Sequence, residues 1–199
     1  MPSSTPIIRP NAPRTRCALL LATLCAAGGL RAQEANPAET ERRAAVLRAL
    51  IVLKILPYLT LPKPAEARTE LRIGVVGEDE VAVAMRKDLP GRKLGEQTVA
   101  VRDVVTEAAT KAEPGHGCDV LWLAGSLDDE TVRRIVAAHR ARPVVLVAER
   151  AGFATGGGGL QLFVQDNGVK FEVNADALKQ QGVRANPQLL KIARKGPER

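Results

Sequence analysis

Aromatic residues are scarce in this sequence: one Trp, one Tyr and three Phe make up 3% of 199 residues. Proteins that hold single strands of nucleic acid stack bases on aromatic rings, so composition argues against that class. The core must come from Val, Leu, Ile and Ala, within an apolar content of 45%. Histidine is scarcer still. His116 and His139 are the only two, and His116-Gly117-Cys118 is half of a metal site with no second pair to close it. His139 sits at the edge of an apolar helix face, where a structural role is expected. No apolar run reaches the roughly 20 residues that a membrane-spanning helix needs.

Catalytic motifs are missing as well. Ser126 has no G-x-S-x-G around it and reads as a helix cap, forming a capping box with Asp129. Asp128, Asp129 and Glu130 open a helix, where the dipole accounts for them better than paired-carboxylate chemistry does. Gly156 to Gly159 resemble a phosphate loop only in composition. A phosphate loop lies between a strand and a helix N-terminus. Here VVLVAE and RAGFAT precede the glycines and an alternating strand follows. The run is expected to be structural, serving the entry into the strand at Leu160. Gly74 to Glu80 follows a strand and precedes a helix, but it lacks the third glycine of a dinucleotide site. With no nucleophile, base and orienter together, the chain is read as a non-enzyme with no cofactor and no metal.

The net charge of +7 shrinks on inspection. Arg9, Arg14 and Arg16 precede CALLLATLCAAGGL at 17–30, a basic region and a short apolar core like those of a secretory signal peptide. Residues 1–32 are predicted to be removed after Ala32, or alternatively after Gly28. The segment carries four arginines and no acid, so its loss takes +7 to +3, and export argues against a nucleic-acid partner. Cys17 and Cys25 leave with it. The mature chain then keeps one cysteine, Cys118, and cannot form an internal disulfide. Burial beside DVLWLA is the first expectation for Cys118, and pairing between chains is the alternative.

The rest alternates. Residues 33–43 are polar and expected to be flexible. AAVLRALIVLKIL from Ala44 predicts a helix with a wide apolar face, ended by Pro57. Strands are predicted at 71–77, 97–104, 118–125 and 144–149, with helices at 80–89 and 128–141 between them. Continuous apolar strands joined by amphipathic helices imply a parallel sheet covered on both faces. LQLFV and VKFEV flank Gln165-Asp166-Asn167-Gly168, the chemistry of an antiparallel hairpin. Asn174 is expected to cap a helix ended by Gly182, and Asn186-Pro187 to open the last one. The predicted fold is a single α/β domain at 44–194. It has a largely parallel sheet flanked by helices and a C-terminal antiparallel hairpin, and a disordered tail follows at 195–199.

GFATGGGGLQLFVQDNGVKFEVNADALKQQGVRANPQLLKIAR, the C-terminal part, resembles the YfiR family of periplasmic proteins. The positions that carry the likeness are Gly152, Phe153, Gly157, Gly158, Phe171, Val173, Asn174, Leu189 and Leu190. The first helix fits less closely, because Leu56 stands where the family has Trp. The resemblance implies an exported periplasmic regulator without catalytic activity. Such a regulator binds and represses the periplasmic domain of an inner-membrane diguanylate cyclase, lowering cyclic di-GMP and restraining biofilm. It leaves open a homodimer and another membrane sensor as partner. The alternative is a periplasmic small-ligand receptor feeding a sensor kinase or transporter.

Overall fold

The computed structural model describes residues 36–62, 68–112, 117–166 and 168–193. The predicted leader at 1–32, His116, Asn167 and the tail at 195–199 lie outside them. In chain order the elements are α1 (Pro37–Ile55), a single 3-10 turn (Leu56–Tyr58), β1 (Leu59–Thr60), β2 (Glu70–Val76), α2 (Glu80–Asp88), β3 (Lys93–Leu94), β4 (Gln97–Asp103), α3 (Thr106–Lys111) and β5 (Val120–Leu123). They continue with α4 (Asp129–His139), β6 (Val145–Ala148), β7 (Leu160–Gln165), β8 (Gly168–Val173), α5 (Ala175–Gln180), β9 (Arg184–Ala185) and α6 (Pro187–Ile192).

Seven strands form one sheet in the order β3-β4-β2-β5-β6-β7-β8. The five central strands run parallel, while β3 and β8 join their neighbours antiparallel. Alternation within each strand divides the core. Ile73, Val75, Val120, Trp122, Val145 and Val147 point into one cluster, with α1, α2, Leu178 and Leu189. Val76, Leu121, Leu123, Leu146 and Ala148 point into the other, with Val132, Ile135 and Val136 of α4 and Ala109 of α3. Strands buried on both faces must be apolar at every position, which is why VLWL and VLVA carry no polar residue. The expected α/β architecture is therefore present, hairpin included.

Several local expectations change. Residues 37–43, read as part of a flexible segment, are helical. The Asn36 side chain accepts from the Ala38 N–H, proline occupies the first turn, and Glu41 pairs with Arg48 at 2.5 Å. That entry chemistry extends α1 upstream of its apolar face. Ser126 and Asp129 do not form a capping box. The cap of α4 is Asp128, whose side chain accepts from the Thr131 N–H at 2.8 Å. α3 and the short pair β1–β9, with Leu59 opposite Ala185, had no periodic signal long enough to find them.

Candidate functional site

In a sheet of this kind the order reverses between β2 and β5, since β2 passes next to β4 on one side and the later strands build out on the other. Ligands of open α/β sheets bind in the crevice beyond the carboxyl ends of the strands at that point. Here Gly77-Glu78-Asp79 leaves β2 and Ala124-Gly125-Ser126 leaves β5. The Asp79 carboxylate fills the crevice. It accepts from the Ala82 N–H at 2.6 Å, the Gly125 N–H at 2.7 Å and the indole N–H of Trp122 at 3.3 Å. Amides that would hold a phosphate thus hold a side chain of the protein. Ser126 closes the other side, its Oγ accepting from the Glu78 N–H at 2.8 Å. Gly77 is held at φ +81°, where a Cβ would lie 2.8 Å from that oxygen.

α1 approaches the same end of the sheet through Arg48. This arginine is 8% exposed and lies between Glu41 at 2.5 Å and Glu149 at 3.2 Å. Burial pushes the Glu149 carboxyl above the usual range, the Arg48 charge opposes that, and the Asp79 charge adds to it. Arg86 of α2 bridges Glu78 at 2.7 Å and Asp103 at 2.6 Å. Around the filled crevice the charged groups hold the protein's own elements together.

The glycine run forms a second constellation. Between β6 and β7 the chain makes consecutive turns, with Gly152 at φ +73° and Gly157 at φ +101°. The Gly156 N–H donates to the Gly152 carbonyl and the Gly158 N–H to the Phe153 carbonyl, both at 2.9 Å. The turn closes over Phe153, which is 4% exposed. A Cβ on Gly158 would lie within 2.5 Å of three ring carbons. Asn174 ties the turn to the hairpin and the helix after it. Its Nδ2 donates to the Ala154 carbonyl at 2.6 Å, its Oδ1 accepts from the Ala177 N–H at 2.9 Å, and its N–H donates to the Gly159 carbonyl at 3.0 Å. A groove of about 690 Å³ runs beside it, lined by Arg140, Gly157, Glu172, Asp176 and Gln181 among others.

The structure thus brings together Gly152, Phe153, Gly157, Gly158 and Asn174. Phe171 stands across the hairpin from Leu162 and packs against the α1-side cluster. Leu189 is buried in that cluster, while Leu190 is 38% exposed. His139, placed by sequence at the edge of a helix face, is fully buried with Nε2 3.0 Å from the Ala109 carbonyl. The sequence missed Asp79 and Arg48, for a single acid after a strand and a single arginine in an apolar helix carry no motif.

Cys118 lies apart from both constellations, two residues before β5, and is 5% exposed. Burial first, and then the Asp119 charge, push its thiol up to about 11. At pH 8 only about one thiol in a thousand is then thiolate, the reactive form. The protein is expected to melt at the same temperature with and without reductant. Thiol reagents should label it slowly until it is unfolded. Rapid labelling of the native protein would show that this thiol is accessible.

Comparison with known proteins adds two findings. A family model described as YfiR/HmsC-like matches residues 45–194. The fold is similar to the crystal structure of a conserved domain protein from Vibrio cholerae O1 biovar El Tor. That protein is 14% identical with a TM-score of 0.51, over 75% of this chain and 59% of the other. At that identity the likeness is one of fold, and the chain spans less than two thirds of that protein's length.

Proposed function

The chain belongs to the YfiR/HmsC-like family, and on that footing we propose that it is an exported regulator of cyclic di-GMP signalling that works by binding. In this reading it acts in the periplasm, occupies the periplasmic domain of an inner-membrane diguanylate cyclase and holds that enzyme inactive. It carries out no chemistry of its own.

One observation supports the non-catalytic part most. The crevice where this sheet architecture would receive a ligand is filled by Asp79, its amides and its indole N–H already satisfied. Such a scaffold is suited to presenting a fixed surface, because its polar groups are committed to holding shape. Among the described residues no helix is long and apolar enough to cross a membrane. The reading rests for export on the basic and apolar stretch at 9–30, which has the composition of a signal peptide.

Deleting the gene should raise cellular cyclic di-GMP, and deleting one membrane cyclase as well should return it to the parental level. Unchanged cyclic di-GMP after the first deletion contradicts the proposal. A second reading, a small-ligand receptor, draws on the groove of about 690 Å³, where Gln181 is 3% exposed and its Oε1 has no hydrogen-bond partner among the described residues. It is favoured if deletion leaves cyclic di-GMP alone and alters a sensor kinase's output.

A further inference from the structure

We propose that the outer edge of β8 is a self-association surface, on which a second copy of this chain adds its own β8 antiparallel about a two-fold axis through Phe171. This inference is independent of what the protein regulates.

The backbone comes first. In an antiparallel ladder alternate residues turn their N–H and C=O toward the same neighbour. Asn174 donates to Gly159, and the register runs through Glu172 opposite Gln161 and Lys170 opposite Phe163. Residues 170, 172 and 174 therefore face β7. Val169, Phe171 and Val173 turn their backbone groups the other way, and among the described residues β8 is the last strand of the sheet. Natural sheets blunt such an edge with proline, charged side chains (lysine above all), a bulge, a very short strand or a covering element. The opposite edge is blunted in that way, since β3 has only two residues. β8 has six residues, keeps an unbroken register with β7 and contains no proline, and its one lysine, Lys170, is followed two positions on by the opposite charge of Glu172.

The sequence of the edge is complementary to itself. Centred on Phe171, a two-fold antiparallel pairing sets Phe171 opposite Phe171 and Val169 opposite Val173. These are the residues whose N–H and C=O point outward, so each pair exchanges two hydrogen bonds. The same register sets Lys170 of each copy opposite Glu172 of the other, in the non-hydrogen-bonded positions where side chains lie closest. Any register centred elsewhere breaks the charge match or turns the wrong backbone groups to the interface. Beside this edge Val169 and Phe171 line a groove of about 510 Å³ with Ile192, which is 68% exposed. A second β8 brings apolar side chains alongside that groove.

The test is a charge swap in the mature full-length protein, read by light scattering after gel filtration and by sedimentation equilibrium. The wild type should be a dimer that dissociates on dilution. Lys170→Glu and Glu172→Lys should each weaken it about 10- to 100-fold, because two opposite-charge pairs become two like-charge pairs. The double variant, Lys170→Glu with Glu172→Lys, should restore it. Hydrogen exchange of the wild type should show the amides of Val169, Phe171 and Val173 protected in the dimer and fast after dilution, which decides the matter even if a variant misfolds. The proposal is overturned by a monomer at every concentration, by a dimer that the single variants leave intact, or by a double variant that stays dissociated. It is equally overturned if those amides become protected only when a cyclase's periplasmic domain is added, since the edge then receives a partner's strand.

Discussion

Gly158→Val should lower the melting temperature by about 10 °C, the largest single effect expected from the glycine run. The valine Cβ would enter the space of the Phe153 ring, approaching three of its carbons within 2.5 Å. That ring is buried in the α4-side cluster with Val132, Ile135 and Val136, so it cannot swing into water without exposing the cluster. Overpacking of this kind costs about 3 kcal/mol, and a domain of this size loses roughly 2–4 °C per kcal/mol. Gly157→Val adds a second mechanism, because φ is +101° there and the Cβ would meet Val136 at 3.1 Å. Gly91→Ala is the control. It has φ +78° with nothing within 4 Å of its Cβ, so it should cost only the backbone strain, about 1–2 kcal/mol. If Gly158→Val melts with the wild type, the turn does not close over Phe153 as described.

Asp79→Ala is the second. It removes the cap of α2, worth about 1 kcal/mol. It also strands the Trp122 indole N–H in a residue with no solvent exposure, and frees the Gly125 N–H. A buried donor left without an acceptor costs about 1–3 kcal/mol more. The expected loss in chemical denaturation is about 3 kcal/mol, with Asp79→Asn falling between the two because its oxygen still accepts one bond. Trp122 is the chain's only tryptophan, so its fluorescence should shift in the native state of the alanine variant alone. An alanine variant as stable as the wild type would mean that the crevice is not held by this carboxylate.

Much of the fold was legible because its signals are local and strong. Continuous apolar runs gave β2, β5 and β6, and the turn chemistry of Gln165-Asp166-Asn167-Gly168 between LQLFV and VKFEV gave the antiparallel hairpin, whose register the structure supplies. Asn174 and Asn186 announced their helices by residue type, and both cap as expected. The misses have equally plain causes. α3 is six residues of mixed polarity, too short for a period to emerge. The choice of Ser126 over Asp128 as cap failed because Ser126 is drawn across the sheet to Glu78, a contact separated by 48 positions. The candidate site was legible only where backbone chemistry marks it. The glycine run with Gly157 and Gly158 and the Asn174 cap could be named in advance from residue type, and Gly152 from the family likeness. Asp79 and Arg48 could not, because their meaning comes from which strand ends the topology sets side by side.

The central claim is the proposal that the protein works by binding a membrane cyclase from the periplasmic side. The most direct measurement is calorimetric titration of the purified mature protein with the isolated periplasmic domain of the cyclase whose deletion suppresses the phenotype. The account predicts saturable one-site binding that Gly158→Val weakens in step with its loss of folded protein. No heat and no complex at any concentration, with both proteins folded, would contradict it.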